Sequence, residues 1–217
     1  SLHKRGYRPA VGMAPIKETL AAGLMRMTCW DGTKNLVDPL CGSGTFLIEA
    51  VSTLLGIASG IDRKFLFKNW PDFDISIWDR EFKMAKKVKT FNMKLPKIIG
   101  CEFDDLIANS AINNVREAGL ENYIQIINRP FQEFQLPPGL GLLVCNPPYG
   151  KRIGDENQLP NLYKQLGEYC KKQASGWDLW LLNGNRQLSK YIGMKANQRF
   201  QVNNGSIDCR WLNYKIK

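Results

Sequence analysis

Two short stretches carry most of the chemistry in this sequence. In the first, Val144-Cys145-Asn146-Pro147-Pro148-Tyr149-Gly150, an apolar run stops on an amide, two prolines and an aromatic ring. The Asn146 side-chain oxygen and the Pro147 carbonyl could accept both hydrogens of a planar exocyclic amine. The nitrogen of such an amine shares its lone pair with the ring and is a poor nucleophile. Accepting both hydrogens favours a pyramidal nitrogen with an available lone pair. Proline restricts the backbone, so the elbow is held in place. Tyr149 offers a face on which a flipped base can stack. Group transfer to the amine then depends mainly on positioning. Asn146, Pro147, Pro148 and Tyr149 are the expected catalytic set.

The second stretch, VDPLCGSGTFLIEA (37–50), places Asp38 at a strand end, then a glycine-rich turn, then a helix. Its residues Asp38, Leu40, Cys41, Gly42, Ser43, Gly44 and Thr45 form the expected cofactor loop. Glycine lets a backbone approach a ligand closely. The turn lacks the GK[ST] of a phosphate loop, and 42–47 reads GSGTFL rather than GxGxxG. An acidic residue before the glycines repels phosphate and welcomes a cation. The ammonium-bearing methionine end of S-adenosylmethionine fits that preference. A second strand ends in GCEFDD (100–105), where a carboxylate can grip ribose hydroxyls. Glu102 is the expected grip, with Phe103 beside it and Asp104 as the alternate. Asp38 and Glu102 lie 64 positions apart, a gap that an insertion at 56–97 explains.

Apolar, β-rich runs recur at 35–38, 97–102, 123–128, 140–146, 178–183, 199–203 and 209–214. Most are continuous, as in buried parallel strands. Helical patterns lie between several of them, at 46–55, 107–120 (with Gly119 as the stop) and 162–173. This alternation predicts an α/β, Rossmann-like fold: a seven-stranded, mostly parallel sheet with helices on both faces. The last two strands lack an intervening helix and form an antiparallel hairpin turning at Asn204-Gly205. A helix at about 14–29 precedes the first strand, within an N-terminal segment 1–30. The 56–97 insertion needs structure of its own, and Trp78, Phe82, Ala85 and Val88 fall in helical register there. The whole of 1–217 is expected to be one domain.

The chain has 217 residues, enough for a substantial core, and 44% of them are hydrophobic. No apolar run approaches a membrane span. The six cysteines form no CxxC pair and His3 is the only histidine, so no metal site is expected. Reduced, buried thiols in a cytoplasmic protein are the plain expectation. Net charge is +10 but uneven: residues 151–217 hold 12 basic against 5 acidic residues, whereas 99–150 hold 2 against 6. That pattern points to a polyanionic partner bound through a basic surface. Lys151 and Arg152, just past the proline elbow, are expected to touch its backbone.

With DPLCGSGT and NPPYG together, the sequence resembles the class I S-adenosylmethionine methyltransferases that modify exocyclic amines. LHKRGYRPAVGMAPIKETLAAGLM, DPLCGSGTFLIEA, RKFLFKNWP and NPPYGKRIGD extend the resemblance over essentially the whole chain, to the bacterial large-subunit (23S) ribosomal RNA guanine-N2 methyltransferases. The resemblance implies that Asp38, Gly42, Gly44, Glu102 and Asn146 face cofactor or target amine, and that Pro15 borders the methionine end. It also implies an RNA-binding THUMP domain upstream of Ser1, in keeping with a start that is not Met. Related enzymes often place an acidic residue after the third strand to meet adenine. Here the stretch is NRPFQEF (128–134), so adenine is expected on the Phe131 backbone and ring. A DNA adenine-N6 methyltransferase shares the same amine chemistry, and a non-catalytic RNA-binding module is the reading from a different class.

Overall fold

The computed structural model describes residues 4–8, 16–61, 63–87, 95–150 and 158–217. The apolar runs pair as strands. These are β1 (Asn35–Asp38), β2 (Ile98–Glu102), β3 (Gln125–Asn128), β4 (Gly141–Cys145), β5 (Asp178–Asn183), β6 (Gln198–Asn204) and β7 (Ile207–Lys215), in the order β3-β2-β1-β4-β5-β7-β6. Among them β1, β2, β4 and β5 are buried on both faces. The first five are parallel, and β7 runs antiparallel between β5 and β6. This is the Rossmann-like, mostly parallel seven-stranded sheet with an antiparallel C-terminal hairpin expected from the sequence. The β6–β7 turn is displaced by one residue: Asn204 pairs with Ile207, leaving Gly205-Ser206 as the two-residue loop. Gly205, at φ +66°, supplies the left-handed backbone that a tight hairpin needs.

Helices cover both faces. On one side lie α1 (Glu18–Met27), α2 (Thr45–Leu55) and α4 (Asp105–Glu117), over a core that includes Leu36, Leu47, Ile48, Val144 and Leu182. Trp211 is sealed there between Phe46 and Trp180, each with ring centroids 5.5 Å away. On the other side α5 (Leu159–Gln173) packs on Val37, Leu143, Leu181 and Leu212. Its Gly167 lets the helix approach Ile192, because an added Cβ would sit 2.1 Å from the Ile192 carbonyl oxygen. The C-terminus of α4 is closed through Gly119 (φ +66°), whose amide donates to the Arg116 carbonyl while the Leu120 amide reaches Val115.

Within the insertion, α3 (Ile75–Ala85) starts at Asp74, whose side chain accepts from the Ser76 and Ile77 amides. Phe65, Phe67, Phe73, Trp78 and Phe82 pack into a small aromatic core of their own, with Trp78 stacked on Phe82 at 5.4 Å. Val88 lies outside the described residues. No helix among the described residues is long and apolar enough to cross a membrane.

Candidate active site

The chemistry-bearing residues converge on the carboxyl edge of the sheet. β1 is hydrogen-bonded to both β2 and β4, so the strands that end in Asp38, Glu102 and Asn146 are immediate neighbours. Ligands of open parallel sheets bind at this edge.

Asp38 is 1% exposed and accepts a hydrogen bond from the Leu40 amide at 3.1 Å. Burial pushes its carboxyl well above the usual range; the Leu40 amide pulls it back, and the nearby Glu102 raises it further. A carboxyl held this way gains from a cation placed beside it. Gly42 (φ +52°) and Gly44 (φ +79°) then turn the chain into α2. A Cβ on Gly42 would meet nothing within 4 Å, so the loop stands open at that point. The Cys41 amide donates to the Cys101 carbonyl, pressing the loop down on β2. Gly100 makes this possible, since an added Cβ there would lie 2.9 Å from the Cys41 side chain. The Cys41 thiol is raised by burial and is no nucleophile.

Glu102 ties the two strand ends together. One of its oxygens accepts the Gly42 amide and the other the Asp104 amide, both at 3.1 Å. Burial raises its carboxyl, against the pull of the Asp104 and Gly42 amides. Asp104, the alternate grip, is instead the N-cap of α4 and accepts from the Leu106 and Ile107 amides at 2.9 and 3.0 Å. Phe103, between the two acids, is 68% exposed. The Phe131 ring departs from expectation. It is 3% exposed and packs edge-on against Tyr169 at 5.3 Å, so it cannot stack on a ligand. The short 3-10 turn Phe131–Glu133 directs it under the sheet.

At the end of β4 the Asn146 Oδ1 atom is buried with no hydrogen-bond partner among the described residues. A buried orphan acceptor costs about 1–3 kcal/mol and calls for an explanation. Tyr149 is fastened to the far hairpin: its hydroxyl accepts from Asn204 Nδ2 at 2.8 Å and lies 3.7 Å from Cys209 Sγ. Its ring occupies the space that a Cβ on Gly184 would take, 2.6 Å from ring carbons. Pro147 is buried and Pro148 half-buried.

Three residues outside the sequence reading join the site. Asn114, fully buried on α4, donates from Nδ2 to the Ser43 carbonyl at 3.0 Å and latches the glycine loop. Its signal was an amide at a helix position facing the core. Arg8 donates to the Thr45 hydroxyl and lies 3.9 Å from Glu18. Glu49, buried on α2, accepts from Arg5 and Tyr7, strapping residues 5–7 over that helix. No periodicity announces such long-range pairs. Pro15, Lys151, Arg152 and His3 lie outside the described residues. Among the described residues no group of three His, Cys, Asp or Glu side chains could hold a metal ion.

The UPF0020 family, "RMKL-like, methyltransferase domain", matches residues 5–213. The chain belongs to this family. A Synechocystis sp. relative of this RMKL-like chain, "Putative RNA methyltransferase slr0064", is 42% identical over 100% of the chain and 56% of its own length. A Marinomonas sp. relative, "Ribosomal RNA large subunit methyltransferase K/L", is 40% identical over 97% of the chain and 30% of its own length. The chain therefore spans about half or less of these relatives. Two solved structures superpose on all of it. One, named as "a putative methyltransferase complexed with SAH", has a TM-score of 0.90 at 34% identity and is covered over 56% of its chain. The other, from Listeria monocytogenes and named as "a predicted N6-adenine-specific DNA methylase", has a TM-score of 0.89 at 33% identity and is covered over 55%.

Proposed function

We propose that this RMKL-like domain is an S-adenosylmethionine-dependent methyltransferase acting on the exocyclic amine of a base in RNA, guanine N2 of large-subunit (23S) ribosomal RNA. The observation that carries the reading is the buried Asn146 Oδ1, without a partner among the described residues, at the end of the strand next to Asp38's. An acceptor kept dry and unmatched in the free protein is suited to a donor that arrives with substrate.

The residues present fit the cofactor. Asp38 would meet the cationic methionine end, and the open turn Gly42-Ser43-Gly44 with Thr45 would line its path. Glu102 retains lone pairs for ribose hydroxyls beside the amides it already holds. Phe103 offers adenine the exposed ring that Phe131 withholds. When bound, S-adenosylmethionine supplies an electrophilic methyl on a sulfonium. Asn146 and the Pro147 carbonyl would accept the two amine hydrogens and free the nitrogen lone pair. Tyr149, anchored to the β6–β7 hairpin, holds the elbow rigid and would border the base. The surplus of basic residues in 151–217 supports an RNA partner.

A DNA adenine-N6 substrate is the second reading. The same elbow chemistry favours it, as does the likeness to the Listeria protein named as a DNA methylase. Methyl transfer from tritiated S-adenosylmethionine decides between them. Label in unmodified large-subunit ribosomal RNA and not in unmethylated DNA is expected. Label in DNA alone would overturn the RNA assignment, and no cofactor binding at all would leave a non-catalytic module.

A further inference from the structure

At the same carboxyl edge, one strand beyond β5, a pocket of about 170 Å³ opens on the α5 face of the β6–β7 hairpin. Asn183, Arg186, Gln201, Asn203, Asp208 and Arg210 line it. Strand register explains why they meet. Arg210 on β7 pairs with Asn183 of β5 on one side and Gln201 of β6 on the other, and Asn203 pairs with Asp208. Alternation along strands puts paired side chains on one face. Arg186 arrives from the loop after β5.

Asn183, Asn203 and Asp208 in the pocket wall already have partners, and among the described residues the two guanidinium groups have no carboxylate. Asn183 accepts from the Tyr163 hydroxyl at 3.2 Å and the Asn185 amide at 2.9 Å, and donates to the Asn185 carbonyl at 2.7 Å. Asp208, the one acid in the wall, accepts from Asn203 at 3.2 Å. Among the described residues neither Arg186 nor Arg210 makes an ion pair. Two unpaired forks in a concave site match an oxyanion with several acceptor oxygens. The hairpin that carries the pocket is also bolted to the proline elbow, through the Asn204–Tyr149 hydrogen bond and the Tyr149 ring against Gly184. An anion seated here is thus held at a fixed offset from Asn146.

We infer that this pocket binds a backbone phosphodiester of the RNA close to the target nucleotide, with Arg186 and Arg210 as its ligands. The inference rests on the RNA reading above. Phosphate contacts fix register without reading sequence, so the pocket would set which nucleotide can swing into the elbow.

The test uses the full-length protein with unmodified large-subunit ribosomal RNA, in Arg186→Ala, Arg210→Ala, the double variant and Arg210→Lys. Each alanine should raise the RNA KM roughly 5- to 10-fold and flatten the salt dependence by about one unit of slope. Arg210→Lys keeps the charge but loses the fork, so its KM should fall between. An unchanged affinity for S-adenosylmethionine reports an intact fold. A double variant with wild-type KM and salt slope, or one whose loss falls on kcat alone, overturns the phosphate subsite while leaving RNA methylation standing. If the wild-type protein transfers no methyl to RNA, the functional reading fails first and the subsite falls with it.

Discussion

Gly184→Ala should disable the elbow without substituting any residue that meets substrate. The added Cβ would lie 2.6 Å from two ring carbons of Tyr149 and 3.1 Å from Ile207 Cγ2. Carbon atoms rest at about 3.5–4.0 Å, so the ring must retreat by about 1 Å. The flanks resist, because Ile207 belongs to β7 and the Tyr149 hydroxyl is fixed by Asn204. Overpacking of this kind costs about 1–3 kcal/mol, which for a chain of 217 residues lowers Tm by roughly 2–12 °C. Displacing a catalytic group by about 1 Å costs on the order of 100-fold in rate. Steady-state methyl transfer and differential scanning calorimetry read both numbers. Gly119→Ala, at the end of α4 and away from the site, is the control: a Cβ there has open space and its only penalty is the φ of +66°, about 1 kcal/mol. A Gly184→Ala protein that keeps wild-type kcat would refute the idea that Tyr149 braces the elbow.

Three further outcomes follow from the site. The raised Asp38 carboxyl stays protonated to higher pH than an ordinary one, and a cation beside it favours the ionised form. Binding of S-adenosylmethionine should therefore release protons and tighten as pH rises from the acid side, measurable by calorimetry in buffers of different ionisation enthalpy; proton uptake would contradict this. Phe103→Ala should weaken cofactor binding roughly 10-fold with little change in Tm, whereas Phe131→Ala, which empties a core site, should cost about 3–5 kcal/mol of stability. Equal effects on cofactor binding would undo the exchange of roles between these rings. Glu102→Gln puts an amide donor against the Gly42 or Asp104 amide. Cofactor affinity should drop roughly 10- to 100-fold, and wild-type affinity would count against the carboxylate's double grip.

The middle of the sheet was legible because β1, β2, β4 and β5 are buried on both faces and so read as unbroken apolar runs. NLVD and DLWLLN match β1 and β5 to the residue. The Asp38 and Asn146 stretches were legible because both end such strands. What pattern could not show was which polar groups a turn consumes. Asp104 and Glu102 look alike in sequence, yet one caps a helix and the other bridges two strand ends. Phe103 and Phe131 differ only in where the backbone aims them. Arg8, Glu49 and Asn114 act across 37, 42 and 71 positions, a range at which no local signal survives.

The most direct test of the amine-acceptor role is Asn146→Ala, followed by both turnover and unfolding. If Oδ1 is kept unmatched for the substrate amine, removing it should cut kcat roughly 100- to 1,000-fold. Affinity for S-adenosylmethionine should stay within about twofold. Tm should hold or rise, because a buried acceptor with no partner is lost from the folded state. Wild-type turnover, or a fall in Tm that accounts for the lost rate, would contradict the account.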